Sequence, residues 1–111
     1  MAIKPLNILF VCTANRLRSP TAERVFGSWP GLEVSSAGLD ASAGRVIDEA
    51  MVAKADVIFC MEPGHRDRLR KRFKPALGGK QVIVLGIPDE YERDQPELVA
   101  LLRKKVAPFL E

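Results

Sequence analysis

The chain has 111 residues, of which 47% are hydrophobic and 28% charged, and its formal net charge is +3 at pH 7. This length allows one domain with a single core, and apolar runs such as residues 8–11 and 82–85 are far too short to span a bilayer. The chain has only two cysteines, which suit a reducing compartment better than a disulfide scaffold, so we expect a cytoplasmic protein with no membrane partner. The small positive charge favours anionic partners but is too small to identify one.

Short apolar runs alternate with segments of helical spacing along the chain. The apolar runs are typical of buried strands, and the spacing of apolar residues between them is typical of helices. The predicted elements are, in order, a strand at 6–11, a helix from Ser19 to about 27, a strand at 32–36, a helix at about 45–54, a strand at 56–60, a helix from 63 to about 74, a strand at 81–85 and a helix opened by Asp94 and running to about 109.

Capping signals support two of these helices. Ser19 followed by Pro20 is typical of an N-cap and a first helical position. Asp94 with Glu97 three residues later is typical of a capped helix start. Alternating strands and helices predict a doubly wound α/β fold, with a four-stranded parallel sheet and helices on both faces. Ligands bind such sheets at the carboxyl ends of the strands, where Cys12 is expected to lie.

The loop after the first strand carries the strongest functional signal. Residues 10–20 read F-V-C-T-A-N-R-L-R-S-P, with Arg18 six positions after Cys12. Backbone N–H groups of such a loop and the positive end of the following helix converge on one point, which suits a phosphate. Arg18 could bind two of its oxygens, and a thiol in the same positive potential is expected to ionise readily. The loop therefore predicts a phosphate site with Cys12 as its nucleophile.

This loop resembles the active-site loop of the low-molecular-weight protein tyrosine phosphatases, whose signature is V-C-x-G-N-x-C-R-S-P. Residues 36–38 (S-A-G) and 56–62 (D-V-I-F-C-M-E) are similar to two later segments of that family, so the matches run in order along most of the chain. The resemblance implies that residues 1–111 form a single domain of this type. It also implies a cysteine-dependent phosphomonoesterase, specifically a protein tyrosine phosphatase, that acts without metal or organic cofactor.

Each loop residue has an expected role in that chemistry. Cys12 would form a cysteinyl-phosphate intermediate that water then hydrolyses. The phosphoryl oxygens would be bound by the loop residues Thr13, Ala14, Asn15, Arg16, Leu17, Arg18 and Ser19. The Ser19 hydroxyl could also hydrogen-bond the Cys12 sulfur, and Asn15 suits a left-handed backbone position in the loop.

The leaving oxygen needs an acid from another part of the chain. The resembled family supplies an aspartate from a late loop that reads D-P-Y or D-P-F, and here Asp89 precedes Tyr91 by two positions with Glu90 in place of the proline. We therefore assign Asp89 as general acid and base and Tyr91 as an aromatic wall of the substrate site. Glu90 and Glu92 are the alternative acids, and a solvated acidic loop is the alternative interpretation.

Three departures from the family pattern affect the site. Ala14 replaces the usual glycine, and Leu17 replaces the second loop cysteine that forms a protective disulfide in many members. The segment 39–55 is also much shorter than usual. In typical members that segment supplies part of the substrate cleft, so we expect a more open site with looser specificity.

Other interpretations of the chain remain open at this point. An arsenate reductase on the same scaffold would need additional cysteines, and only Cys60 is left. We interpret Cys60 as a buried core residue rather than as a disulfide partner of Cys12. The basic run 66–74 could bind nucleic acid in a non-catalytic module, but a solvated helix face explains it better. The expected partner is a phosphorylated protein or a small aryl or guanidinium phosphate, and nucleic acid is not expected.

Overall fold

The computed structural model describes residues 5–110; residues 1–4 and 111, which the predicted domain includes, lie outside them. Four parallel strands form one sheet in the order β2-β1-β3-β4. The strands are β1 (Leu6–Cys12), β2 (Leu32–Gly38), β3 (Val57–Cys60) and β4 (Gln81–Val84). The helices are α1 (Arg18–Phe26), α2 (Glu49–Lys54), α3 (Pro63–Arg72), α4 (Lys74–Leu77) and α5 (Pro96–Leu110). The predicted doubly wound α/β fold with a four-stranded parallel sheet is confirmed.

Helices cover both faces of the sheet, and each face has its own apolar core. On one face, α1 and α5 pack through Phe26 and Leu102 against Phe10 and Phe59, whose rings stack at 5.3 Å between centroids. The other face carries α2, α3 and α4, with side chains such as Leu69 at its centre. Strands buried on both faces need apolar residues at successive positions, which explains the unbroken apolar run in β1.

The centre of the sheet positions the loop that follows β1. Because β1 lies between β2 and β3, its carboxyl end has a neighbour on each side, and Cys12 pairs with Gly38 at the end of β2. A crevice outside the carboxyl ends of parallel strands is the usual ligand position in such sheets. Within residues 5–110, none of the helices is long and apolar enough to cross a membrane.

Two predicted helix starts are wrong. Ser19 is not an N-cap, because α1 begins at Arg18, two residues before the predicted first helical position, and Leu17 takes the cap position without a side-chain hydrogen bond. Helix α2 begins at Glu49 rather than at about residue 45, and the Asp48 carboxylate caps it by accepting from the Met51 N–H. Residues 45–47 instead pair with the end of β2, since the backbone of Gly38 bonds on both sides of Val46.

The later helix boundaries also differ from the prediction. The predicted helix 63–74 ends at Arg72, and a short helix α4 that was not predicted follows it, because the pyrrolidine ring of Pro75 and its missing N–H prevent one continuous helix through this point. Asp94 does not cap α5: it lies two residues before the helix with φ of 60°, and its carboxylate binds Arg24 at 2.6 Å.

Candidate active site

The loop between β1 and α1 is held by the short segment that follows β2. Three successive loop carbonyls accept hydrogen bonds of 3.0–3.1 Å from backbone N–H groups of that segment, in the pairs Cys12–Leu39, Thr13–Asp40 and Ala14–Gly44. In a trans peptide the N–H points opposite to the C=O. The N–H groups of the residues that follow these carbonyls therefore face the other way, toward the loop interior, and the Asn15 N–H reaches the Cys12 sulfur at 3.2 Å.

Glycines allow this close contact between the loop and its neighbour. A Cβ on Gly38 would lie 2.6 Å from the Thr13 carbonyl oxygen and 2.9 Å from the Asn15 nitrogen. A Cβ on Gly44 would lie 3.0 Å from the Asn15 carbonyl oxygen. Gly38 is the last residue of the S-A-G segment, so the family resemblance there has a steric basis: only glycine lets β2 end this close to the loop.

The Cys12 sulfur receives hydrogen bonds from two loop residues. Asn15, in a left-handed conformation with φ of 53°, donates its side-chain amide to both Ser19 Oγ and Ser36 Oγ at 2.9 Å. Because Ser19 Oγ accepts from Asn15, its own hydrogen is free for the Cys12 sulfur, 2.9 Å away. Ser36 in turn donates to the Glu23 carboxylate at 3.0 Å. This network places the Asn15 N–H and the Ser19 hydroxyl against the sulfur at the base of the loop.

Arg18 is buried, and its guanidinium is held from three directions. Its Nη1 donates to Glu62 Oε2 and to the Ile87 carbonyl, both at 2.8 Å, and its Nε lies 3.8 Å from Asp89 Oδ1. Only 2% of the Arg18 surface is exposed, whereas the Asp89 side chain is 61% exposed. The hydrogen bond from Arg18 lowers the pKa of Glu62, so Glu62 remains a carboxylate.

A cavity of about 270 Å³ brings most of the predicted site residues together. Its lining consists of Cys12, Thr13, Ala14, Arg16, Leu17, Arg18, Glu62 and Asp89. Asn15 and Ser19 lie behind the sulfur rather than in the lining. Tyr91, Glu90 and Glu92 are not in this lining, and Tyr91 packs half-buried against the core on the α1 and α5 face. The predicted nucleophile, arginine and acid therefore share one cavity, and the predicted aromatic wall does not border it.

Glu62 and His65 contact the site although neither is predicted from the sequence as a site residue. Both belong to the first turn of α3, which begins at the same sheet edge as the loop after β1. Their backbone and side chains form a capping box, in which His65 is a capping residue of the helix. A polar residue directly after a buried strand, at the edge where the phosphate loop also lies, is the signal that could have revealed Glu62.

The basic run on α3 is only partly a solvated helix face. Arg68 and Arg72 donate to the Leu39 carbonyl at 3.4 and 3.1 Å, and thereby hold the segment that supports the loop. Farther along, several cations line a separate cavity of about 550 Å³ together with the edge of the sheet: Arg70, Lys71, Lys74 and Lys80.

Cys60 lies on the opposite face of the sheet from Cys12. Cys12 belongs to the core beneath α1 and α5, whereas Cys60 is fully buried in the core beneath α2 and α3. Burial raises the pKa of the Cys60 thiol to about 12. The interpretation of Cys60 as a buried core cysteine is thereby confirmed, and a disulfide with Cys12 would have to cross the sheet.

This geometry predicts that only one cysteine reacts in the folded protein. Iodoacetamide at neutral pH should add to Cys12 alone, and inorganic phosphate should slow the reaction, because Cys12 lines a cavity together with Arg18 whereas the Cys60 thiol is both protonated and fully buried. Peptide mass spectrometry after alkylation measures this, with urea-unfolded protein as the control in which both cysteines react. An adduct on Cys60 in the folded protein, or a Cys12–Cys60 disulfide after mild oxidation, would contradict it.

Comparison with known proteins agrees with this site. The family model for low molecular weight phosphotyrosine protein phosphatase matches residues 7–56. The chain is 32% identical to the low molecular weight protein-tyrosine-phosphatase Wzb of Escherichia coli K12, over 86% of this chain and 84% of that protein. The chain belongs to the low-molecular-weight protein-tyrosine-phosphatase family. The part of the chain that the family model matches, residues 7–56, includes the loop after β1, strand β2 and the segment that follows β2.

The similar proteins include one that is named for phosphoarginine rather than for phosphotyrosine. A protein-arginine-phosphatase of Geobacillus stearothermophilus is 33% identical over 65% of each chain. The structure of Vibrio vulnificus Wzb in complex with benzylphosphonate superposes with a TM-score of 0.74 at 25% identity, covering 94% of this chain and 96% of that one. Family membership confirms the predicted cysteine-based phosphatase function, and it does not favour the arsenate reductase or the binding module.

Proposed function

We propose that this protein hydrolyses phosphotyrosine in proteins through a phosphocysteine intermediate on Cys12. The observation that supports this most directly is one cavity lined by a thiol, a buried guanidinium and a carboxylate: Cys12, Arg18 and Asp89. These three groups supply the nucleophile, the clamp for the transferring group and the acid that phosphate-ester cleavage by a thiol requires.

The reaction would proceed in two steps. The Cys12 thiolate attacks phosphorus, the P–O bond to the substrate breaks, and Asp89 gives its proton to the departing oxygen. Water then attacks the phosphocysteine, Asp89 takes a proton from that water, and the S–P bond breaks to release inorganic phosphate. The loop N–H groups and Arg18 bind the equatorial oxygens in both steps, and the Ser19 hydroxyl stabilises the sulfur as it departs.

The mouth of the cavity favours an aryl over a guanidinium phosphate. The relatives include both protein-tyrosine and protein-arginine phosphatases, so the family leaves both substrates open. Arg16 lines the cavity and is exposed, so its positive charge would repel a cationic guanidinium product there. A phenol leaves as a neutral molecule after protonation by Asp89 and meets no such repulsion.

The proposed mechanism also bears on where the protein acts. The nucleophilic cysteine must remain a free thiol, which suits the reducing cytoplasm, where we place the protein.

The general-acid role of Asp89 predicts an effect that depends on the leaving group. Asp89→Asn should lower kcat for phosphotyrosine by about 10²- to 10³-fold, because asparagine has no acidic proton to give to a basic phenolate. The loss should be smaller for para-nitrophenyl phosphate, whose leaving group needs less protonation. Steady-state phosphate release in the presence of a metal chelator measures both. Glu90→Gln and Glu92→Gln are matched controls, since both alter neighbouring carboxylates outside the cavity lining.

Substrate class is tested with two peptides of the same sequence, one with phosphotyrosine and the other with phosphoarginine at the same position. We expect the higher kcat/KM for phosphotyrosine, and Arg16→Thr should raise the value for phosphoarginine relative to phosphotyrosine. Faster hydrolysis of phosphoarginine by the wild type would overturn the assignment to phosphotyrosine while leaving the thiol mechanism in place. Equal losses for Asp89→Asn and the two glutamine variants would instead refute the role of Asp89.

A further inference from the structure

The first turn of α3 contacts both ends of the phosphate loop. Glu62 binds Arg18 near the end of the loop at 2.8 Å, and His65 Nε2 lies 2.9 Å from the Thr13 hydroxyl oxygen at its beginning. His65 is the only histidine of the chain, and it is only 4% exposed. A buried imidazole that bonds a residue of the cavity lining can influence what that residue does there.

Hydrogen bonding fixes which nitrogen of His65 carries the proton. The Nδ1 atom accepts a hydrogen bond of 3.1 Å from the Glu62 backbone N–H, so it is unprotonated. In a neutral imidazole the proton then resides on Nε2, and this atom must be the donor to Thr13 Oγ1. Because Thr13 Oγ1 accepts from His65, the hydrogen of its own hydroxyl is left for another acceptor. Thr13 lines the cavity beside Cys12, which makes a bound anion that acceptor.

We propose that neutral His65 is a positioning residue, which through its Nε2–H orients the Thr13 hydroxyl to donate to a phosphoryl oxygen in the cavity. This inference rests on the proposed phosphatase function and adds a donor to the site. Helix α3 then sets both sides of the phosphate site, with Glu62 orienting Arg18 and His65 orienting Thr13.

The surroundings of His65 favour its neutral form. Burial is the main cause that lowers its pKa, and the positive charges of Arg18 and Arg68 act in the same direction, against the opposing effects of Glu62 and Asp40. Since the folded protein binds this proton less readily than the unfolded chain, the stability contributed by neutral His65 is complete above the ordinary value of 6.5 and decreases as pH falls below it. Protonation would also make Nδ1 a donor and so break its bond to the Glu62 N–H.

The single histidine gives a direct spectroscopic test. In ¹⁵N-labelled protein at pH 7.5 we expect the imidazole in the Nε2–H form, with a pKa below that of a free histidine. Thr13→Val should shift the Nε2 resonance and weaken the binding of inorganic phosphate by about tenfold, because one donor to the anion is lost. Thr13→Ser, which keeps the hydroxyl, is the matched control and should retain both values. An Nδ1–H form, or equal phosphate binding by the valine and serine variants, would overturn the inference.

Kinetics separate a positioning role from a purely structural one. His65→Phe should lower kcat/KM by about tenfold, and combining it with Thr13→Val should cost no more, because both changes remove the same oriented donor. His65→Gln keeps an amide donor that does not titrate, so it should restore kcat/KM and remove the loss of activity that protonation of His65 causes at acidic pH. Additive effects of the two substitutions would overturn the coupling.

The spectroscopic and kinetic outcomes are independent of each other. If the wild type shows no turnover but its histidine and phosphate binding behave as expected, the proposed function fails and the positioning role stands. If turnover is normal and the Thr13 variants leave the histidine spectrum unchanged, the positioning role fails and the proposed function stands.

Discussion

Cys12→Ser is expected to abolish phosphate release, with kcat falling at least about 10⁴-fold. The serine hydroxyl is protonated at neutral pH and is a much weaker nucleophile than a thiolate, and the Asn15 N–H that contacts this atom is a donor and cannot act as a base. The measurement is steady-state release from para-nitrophenyl phosphate and from a phosphotyrosine peptide. In the wild type, acid quenching followed by mass spectrometry should also detect one phosphoryl group on the peptide that contains Cys12.

Two controls make this result specific to the sulfur. Cys12→Ser should still bind inorganic phosphate, because the loop N–H groups and Arg18 remain in place. Cys60→Ala removes the other thiol from the core on the opposite face, so it should lose stability by roughly 1–2 kcal/mol but keep its kcat. Turnover by Cys12→Ser within a hundredfold of the wild type would refute covalent catalysis by this cysteine.

The sequence predicts the geometry of the loop well because that geometry is local. Cys12, Arg18 and Ser19 lie within a few residues, and the order strand, loop, helix places them around one point without knowledge of the rest of the chain. The same holds for the alternation of strands and helices that predicts the sheet. Asp89 was more distant in sequence, but it follows the last strand, and all parallel strands end at the same edge.

Features that depend on tertiary contacts were missed or placed wrongly. The helical spacing of residues 45–54 was real, yet residues 45–47 bond to the end of β2, and that tertiary pairing overrides their helical pattern. Glu62 and His65 were unrecognised because their roles depend on side chains that reach across from another element. Ser19 looks like an N-cap in sequence, but its hydroxyl contacts the Cys12 sulfur and the Asn15 amide instead, and Leu17 takes the cap position.

The segment 39–55 supports the phosphate loop, a role that its short length in the sequence does not indicate. The short length of segment 39–55 predicts a more open site, and its effect on specificity stays a prediction. In the structure its first residues bind the loop carbonyls, and Arg68 and Arg72 secure Leu39 from α3. The part of this segment that remains is therefore the part that orients the loop N–H groups. A short segment is therefore enough to hold the carbonyl side of the loop.

Arg18→Lys is expected to reduce kcat/KM by about 10³-fold, which corresponds to about 4 kcal/mol of transition-state stabilisation. A guanidinium can bond Glu62 and Ile87 and still present N–H groups to two phosphoryl oxygens, whereas an ammonium is a single point charge with three hydrogens. The lysine would have to leave one of its buried partners to reach the phosphate. Both kcat and the affinity for inorganic phosphate should fall, measured by initial rates and by titration calorimetry.

The matched control lies on the same helix. Arg24→Lys changes an exposed arginine of α1 that pairs with Asp94, and its activity should stay within about twofold of the wild type, as expected for a surface ion pair. A second comparison, Glu62→Gln, keeps the shape of the partner but removes its charge, so it should disturb the orientation of Arg18 less than Arg18→Lys does. If Arg18→Lys retained more than a tenth of the wild-type kcat/KM, positive charge alone would suffice, and the bidentate role of the guanidinium would be wrong.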